Sequence, residues 1–422
     1  MFKSEEIAPG VRLHFLPTDK YKTVTYRVYV QTALGQAPAF TALLPMVLSR
    51  GSSRFPTMQA IAVQLAELYG ARFGCDVAKI GERHCMDFYF EMVSPAYVRD
   101  GSELLYQGMA TLLDLLLNPR KGANGFCSEY VEQEKANLEN RIKGLIDDKR
   151  SYAQQRFLEN MFQGEPFATY KYGTSDEVKT ATPESLWQHY EAVIAQSPID
   201  VFIVGEVDSA AIATSWERAI AEVRNGYSGL PPVHMQISQK EVRQVRETGD
   251  LQQGILFMGY RTPVTYSSAD YHKLLVYTGV LGGFPHSKLF TNVRERASLA
   301  YYVWSRVDAT KGFLMINAGI NPEDYDEAVQ IITEQVDELN RGAITSLELE
   351  KTKRGLVSAF LTMQDNAMAV VDRGMMELVN ETERDIPETL DGIEAITIED
   401  LVEQGAALKL DTIYFLEGQP IT

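Results

Sequence analysis

The sequence predicts an α+β protein built as two domains of similar plan, residues 1–228 and 229–422, with antiparallel sheets and helices in layers. Three observations lead there. Strand-type and helix-type patterns are mixed along the chain with hairpin-like spacing between the strands, which favours α+β layering over a doubly wound parallel sheet. A helix-then-strand pair recurs at the end of each half: Thr182-Pro183-Glu184-Ser185-Leu186 leads to Asp200-Val201-Phe202-Ile203-Val204-Gly205, and Thr397-Ile398-Glu399-Asp400-Leu401 leads to Asp411-Thr412-Ile413-Tyr414-Phe415-Leu416. Each is a capped helix followed by a β-rich run that ends in a turn. Between the halves, Asn225-Gly226-Tyr227-Ser228-Gly229-Leu230-Pro231-Pro232 is dense in turn formers and reads as a linker.

Residues 10–16 and 23–32 alternate with period two and are rich in Val and Tyr, so they read as strands of an antiparallel sheet. Residues 39–48 and 57–69 read as helices, the second started by Pro56 and closed by Gly70. A further apolar helix is expected over 97–117. The longest helical pattern covers 128–162, with Leu138, Ile142 and Leu145 on one face and charges between them. In the second half, 253–260 and 312–320 read as strands, and 269–281, 322–341 and 346–361 as helices.

Composition narrows the function classes. At 422 residues and 45% hydrophobic content the chain can bury a core in each of two or three domains. A formal charge of −17 argues against nucleic acid, whose phosphates call for a basic surface. Basic or neutral peptides are better tolerated, although such acidity also serves plain solubility. No window reaches the roughly 18 apolar residues of a membrane span, and the start, Phe2-Lys3-Ser4-Glu5-Glu6, has no leader pattern, so a cytoplasmic protein is expected. Three scattered cysteines, Cys75, Cys85 and Cys127, fit reduced thiols. His84 and Cys85 adjoin, but neighbours on a strand point to opposite faces and cannot easily share an ion.

The most informative stretch is Gly282-Gly283-Phe284-Pro285-His286-Ser287-Lys288-Leu289-Phe290, which runs on through Arg294 to Tyr301 seven residues later. Glycines, Ser-x-Leu-Phe and Arg-x6-Tyr in that order resemble the C-terminal half of the pitrilysin and insulinase zinc peptidases, to which the subunits of mitochondrial processing peptidase are related. The resemblance covers most of the chain. It implies paired domains, each an antiparallel sheet covered by helices, and a metal held by an inverted His-x-x-Glu-His motif on the first helix.

That motif is absent. Anchored on Leu48 and Arg50-Gly51, the family's first histidine falls on Ala42, its glutamate on Pro45 and its second histidine on Met46. The third family ligand falls on Arg141 when Glu134-Lys135 is taken as the anchoring turn, or on Glu139 when the anchor is Glu132. A catalytic zinc takes three nitrogen, thiolate or carboxylate ligands plus water. Alanine offers nothing, a thioether is too soft, and a guanidinium repels the ion. Proline cannot replace the carboxylate that takes a proton from the attacking water, and it disturbs the helix backbone. The six histidines, His14, His84, His189, His234, His272 and His286, are dispersed. No metal is therefore expected in this chain.

The other half-site is kept. In the resembling family the arginine and tyrosine reach toward the substrate near the zinc, which assigns Arg294 and Tyr301 as catalytic donors to an oxyanion. Gly282, Gly283 and Phe284 become substrate-binding residues, since glycines let a bound peptide come close. Plain alternatives stand beside these: a surface ion pair for Arg294, sheet packing for Tyr301, and a helix C-cap for the glycines. The resemblance also implies peptide docking on an edge strand at Phe73-Gly74-Cys75-Asp76-Val77, where Gly74-Cys75 departs from the usual residues. The expected function is the metal-free subunit of a heterodimeric peptidase, closing a chamber around peptide substrate and lending Arg294 and Tyr301 to a homologous partner that carries the zinc. The alternative is a non-enzymatic peptide-binding or assembly scaffold. No nucleophile elbow or base-paired cysteine supports another hydrolase class.

Overall fold

Along the first strands Val11, Leu13 and Phe15 are buried in a core while Arg12 and His14 point the other way, and the same alternation separates Val24, Tyr26, Val28 and Val30 from Arg27, Tyr29 and Gln31. A sheet with one apolar and one polar face must bury the first against helices. The computed structural model describes residues 2–99, 101–233, 235 and 241–418. The chain packs as two units that interleave in sequence: residues up to Gly144, Thr169–Pro232 and Ala367–Gly374 form one, and Leu145–Ala168, Val233–Asn366 and the chain from Met375 on form the other.

The first unit contains β1 (Lys3–Ala8), β2 (Val11–Leu16), β3 (Thr23–Ala33), α1 (Pro38–Leu48), α2 (Met58–Glu67), β4 (Arg72–Ile80), β5 (Arg83–Val93), α3 (Leu104–Leu117), the short ribbon β6 (Lys121–Gly122) and β7 (Gly125–Phe126), and α4 (Ser128–Lys143). The chain then enters the second unit with α5 (Lys149–Met161) and returns for α6 (Ser175–Thr180), α7 (Pro183–Gln196), β8 (Ile199–Val204) and α8 (Ser209–Ala221). The second unit continues with β9 (Arg243–Thr248), β10 (Gly254–Arg261), α9 (Tyr271–Thr278), β11 (Ala300–Asp308), β12 (Phe313–Ile320), α10 (Tyr325–Asn340) and α11 (Ser346–Met363). After α12 (Ala367–Val379), whose first half belongs to the first unit, come α13 (Ile386–Ala395), α14 (Ile398–Ala406) and β13 (Lys409–Glu417).

The sheet orders are β1-β2-β8-β3-β5-β4 and β11-β12-β10-β13-β9. With β1 set aside, each sheet places its strands in the order first, last, second, fourth, third. Each has a single parallel pair among the described strands, β2 with β8 and β9 with β13. The helix-then-strand repeat seen in the sequence is α7 with β8 and α14 with β13, and both helices open with a capping box, at Thr182 and Thr397. Both last strands also carry, within their first three residues, a buried aspartate met by an arginine: Arg12 donates to Asp200 (2.9 Å), and Arg261 donates to Asp411 (2.7 Å).

Two expected helices differ from the sequence reading. The apolar helix expected from 97 starts only at Leu104, after short 3-10 turns. The single helix expected over 128–162 is two: α4 ends at Lys143, a 3-10 turn spans Gly144–Asp147, and Asp148 caps α5 by accepting from Ser151 N–H (3.2 Å). Each piece alone has an amphipathic stripe, so periodicity runs through the break.

Helix α5 lies on the second sheet, with Phe157, Met161, Phe162 and the following Phe167 packed on Phe257, Phe313, Met315 and Tyr414. It approaches so closely that a Cβ on Gly259 would meet Met161 Sδ at 2.5 Å and Phe157 at 2.7 Å. At its C-terminal end four charges are buried together. Arg261 donates to Asp411 (2.7 Å), to Glu165 (2.9 Å) and to the Met161 carbonyl (2.7 Å), and Lys311 pairs with the other Glu165 oxygen (2.7 Å). Burial would raise the Glu165 carboxyl, but bonds from Lys311 and Arg261 outweigh it and hold the group below its usual range.

This burial can be tested in two ways. Glu165→Ala leaves two cations without their shared carboxylate and is expected to lower the unfolding free energy by about 3–5 kcal/mol in urea titrations, whereas a loss under about 1 kcal/mol would show the cluster to be slack. Fully buried His84 has its imidazole pushed from 6.5 down to about 4 by desolvation. The unfolded chain therefore takes that proton first, and stability falls as pH drops from about 6.5 to about 4, by about 3 kcal/mol from this group alone. His84→Phe is expected to flatten the pH profile over that window, and an unchanged profile would exclude the assignment.

Candidate functional site

Helix α1 starts at Pro38, whose fixed φ suits a first helical position, and carries Pro45 in its interior. Ala42 is 1% exposed, Pro45 is buried and Met46 packs at the margin of the first core. The Pro45 carbonyl accepts from Ser49 N–H (3.1 Å) and from Cys75 Sγ–H (3.0 Å) on β4, tying the helix to the outermost strand. Burial pushes the Cys75 thiol up to about 12, so it stays a protonated donor rather than a thiolate ligand.

Helix α4 presents Glu134 and Leu138 inward, and Glu134 pairs with Arg50 just beyond α1 while accepting from Asn137 (3.1 Å). Arg141 lies seven residues on and shares that face. Its guanidinium donates to Tyr172 Oη (3.0 Å), sits 5.0 Å from that ring's centre and approaches Asp76 Oδ1 (3.4 Å) on β4. Tyr172 donates to Asp76 (2.9 Å), and Lys171 reaches the second carboxylate oxygen (3.4 Å) and the Val77 carbonyl (2.8 Å). Glu139 turns elsewhere: it accepts from Lys143 (2.7 Å) and shares a surface hollow with Glu132, Lys135 and Lys179. At the positions matching the metal motif the chain thus offers alanine, proline, thioether and guanidinium, and the carboxylates beside them are already engaged, Asp76 by a phenol and two cations and Glu134 by Arg50. These residues do not fit zinc.

The histidines do not converge there. His14 bonds Ser4 and Asp200, His189 bonds Thr41 (3.0 Å), His286 bonds Thr352 (3.0 Å), and His234 lies outside the described residues. Among the described residues no group of three or more His, Cys, Asp or Glu side chains is arranged to hold a metal.

The second half-site has an unusual backbone. Helix α9 widens into a π-helical turn over Gly279–Gly283, and a second π-helical segment spans Phe290–Arg296. Such turns insert a residue into a helix and re-aim the side chains beyond it, and they gather at functional sites. Ser298 is left-handed (φ 55°), and the register between β11 and β12 slips between Ala300 and Tyr302, leaving Tyr301 as the bulged residue on an edge strand. Tyr301 is 53% exposed and donates to Asn321 Oδ1 (3.2 Å), which is itself steadied by the Asn321 amide on Asp324 (2.9 Å). The Arg294 side chain is 42% exposed, lies over Phe290 (4.7 Å) and is 3.7 Å from Glu295. Both donors are therefore presented to solvent from one short segment.

The glycines divide. Gly282 is buried, and a Cβ there would meet Ser305 N at 2.6 Å and Leu289 at 2.9 Å, so its smallness serves packing on β11. Gly283 is exposed, and a Cβ there would make only an ordinary contact with the Thr278 carbonyl (3.5 Å), while Phe284 is half-buried, stacked on His286 (5.3 Å) and against Gly355. Sequence reading placed Asp76 only within a candidate docking edge and did not single out Lys171, Tyr172 or Asn321. Their roles come from contacts across the fold, and only the run Tyr170-Lys171-Tyr172 hints at a cation among aromatic rings.

No helix among the described residues is long and apolar enough to cross a membrane. The model of the peptidase M16 inactive domain matches residues 180–356. The chain is 34% identical over 418 residues to the probable inactive metalloprotease YmfF of Bacillus subtilis (strain 168), covering 97% of this chain and 96% of that one. It is 26% identical to the uncharacterized zinc protease Rv2782c of Mycobacterium tuberculosis (strain ATCC 25618 / H37Rv) over 66% of this chain and 65% of the relative. The crystal structure of a conserved protein from Enterococcus faecalis V583 superposes with a TM-score of 0.92 at 30% identity, covering 100% of this chain and 99% of the other.

The donor set gives a direct expectation. After exposure to zinc and desalting, elemental analysis is expected to find no stoichiometric zinc, and zinc is expected to leave the thermal midpoint unchanged. A midpoint that climbs with the logarithm of zinc concentration would show a metal site that this geometry denies.

Proposed function

We propose, from the premise that this chain belongs to the peptidase M16 family and is an inactive homologue within it, that it serves as the metal-free subunit of a two-chain peptidase. The observation that carries the reading is the contrast between the two half-sites. Where the metal motif would lie there is an arginine tied to Tyr172 and Asp76, while Arg294 and Tyr301 are held by little and face solvent.

A homologous partner would supply the zinc and the carboxylate base, and the metal's contribution there is to polarise the peptide carbonyl and activate water. Attack on an amide builds negative charge on its oxygen. The Arg294 guanidinium and the Tyr301 hydroxyl are donors suited to that charge, and neither needs to change protonation to act. The Asn321 carbonyl holds the Tyr301 phenol by its own proton, so catalysis requires the hydroxyl to turn from Asn321 to substrate. Gly283 and Phe284 would border the peptide. Gly282 would act beneath them, as the close contact that sets their position. The cytoplasm suits such a complex, since Cys75, Cys85 and Cys127 are free thiols.

The experiment is reconstitution with a zinc-bearing homologue. This chain alone is expected to cleave nothing, the pair to cleave peptides, and Arg294→Ala or Tyr301→Phe each to lower turnover by roughly 10²-fold with the complex intact. Unchanged turnover in both variants would favour the second reading, a non-catalytic peptide-binding or assembly role for the same fold.

A further inference from the structure

A cleft of about 570 Å³ opens at one end of the second sheet, lined by Asp148, Lys149, Arg150 and Ser151 at the start of α5, by Leu251, Gln252 and Gln253, by Gly254 and Ile255 at the start of β10, and by Tyr302 and Gly319. Its size falls among ligand pockets, which run from roughly 300 to 1,000 Å³. Gly319 shapes the floor: a Cβ there would meet the Tyr302 ring at 2.4 Å, so only glycine lets that ring lie against β12. The Arg150 guanidinium lies over the ring, 4.4 Å from its centre. A guanidinium on an aromatic face keeps most of its five N–H donors for a planar, bidentate acceptor, even as Arg150 also acts on the Tyr302 hydroxyl.

The charges select the ligand. In a chain with 57 acidic against 40 basic residues, Lys149 and Arg150 adjoin, and the carboxylate whose charge meets Arg150 is Asp148. Asp148 is the opposing charge in the cleft, and it is engaged as the α5 cap, with both oxygens bonded to Ser151. That leaves the cleft a net single positive charge, which matches one carboxylate and is poorly matched to polyanions. Gln252 and Gln253 are exposed and line the same cleft, with amides able to bond a peptide backbone. The floor residue Tyr302 comes directly after Tyr301 in the chain.

We propose that this cleft receives the C-terminal carboxylate of a peptide, with Arg150 and Lys149 as its recognition pair, so that the peptide leads past Tyr301. The assignment rests on the reading that this chain handles peptides, and it makes free C-termini a determinant of which peptides are taken. Whole proteins whose C-termini are folded away would be excluded.

The test uses the full chain without a partner and measures, by titration calorimetry, an N-acetylated Ala/Leu pentapeptide as free acid and as C-terminal amide. The free acid is expected to bind at least about tenfold more tightly than the amide. Arg150→Gln is expected to bring the acid down to the amide's affinity while leaving the amide unchanged, and Lys149→Gln to do so in part. Thermal melting of both variants at the wild-type midpoint confirms that they fold. Equal affinities for acid and amide, no binding of either, or an Arg150→Gln variant that still discriminates would each overturn the proposal. Displacement of the acid by equimolar inorganic phosphate would reassign the cleft to small anions and overturn it too. Failure of partner-dependent cleavage leaves these binding results untouched, so the two readings fall separately.

Discussion

The buried cluster of Arg261, Glu165, Asp411 and Lys311 decides how this chain is put together. Glu165 lies in a stretch whose neighbours in sequence belong to the first unit, yet it is locked into the second by two cations, each nearly without solvent. A carboxylate removed from water gains only where its partners are already in place. The cluster therefore acts as a register pin, setting where α5 ends on the sheet. Once Met161 and Glu165 are fixed, the helix axis fixes its other end, about 20 Å away at 1.5 Å per residue. That end carries Arg150, so the guanidinium over Tyr302 inherits its place from a salt-bridge cluster it does not touch.

The same economy appears twice. Asp200 and Asp411 both lie near the start of the last strand of their sheet, both fully buried, and each is answered differently: by Arg12, His14 and Gln31 in one case and by Arg261 and the Thr412 hydroxyl in the other. A shared architecture with divergent partners is what two copies of one plan come to once each has its own task. The divergence is sharper at the sites. In the first copy the chemistry goes into neutralising Asp76 with Arg141, Lys171 and Tyr172. In the second, π-helical turns and a bulge keep Arg294 and Tyr301 out in solvent, where neither adds much to stability. Residues kept exposed on an irregular backbone call for a reason outside the fold, and donation to a substrate is one.

Much of this was legible in the residues. Capping boxes at Thr182 and Thr397, alternation along β2 and β3, and the turn formers around Pro231 all report local physics that tertiary structure has no cause to override. The break at Gly144 was not legible, because α4 and α5 each keep an apolar stripe and a lone glycine is tolerated in a helix. The faces of Arg141 and Glu139 could not be told from spacing, since they depend on which side of α4 meets α1: Glu134 faces Arg50 there, while Glu139 turns to Lys143. Gly282 shows the limit from the other side. A glycine reads as open space for a ligand, but the space beside this one is filled by Ser305 and Leu289.

Edge strand β4 is where the loss of the metal and the handling of peptide meet. Phe73 to Val77 lie on the outermost strand of the first sheet, where a peptide could add as a further strand. Lys171, however, already donates to the Val77 carbonyl, and Asp76 beside it is held by Tyr172 and approached by Arg141. A lysine laid on an edge is a common way to stop strand addition. Releasing that carbonyl would free Lys171 and loosen the contacts that satisfy Asp76, so a strand arriving there has to compete with a cluster rather than meet a vacant edge. The Arg141 guanidinium on α4 thus makes docking a peptide beside it less favourable. Arg141 and Lys171 together, by engaging Asp76 and the Val77 carbonyl, set this edge of the first sheet against strand addition.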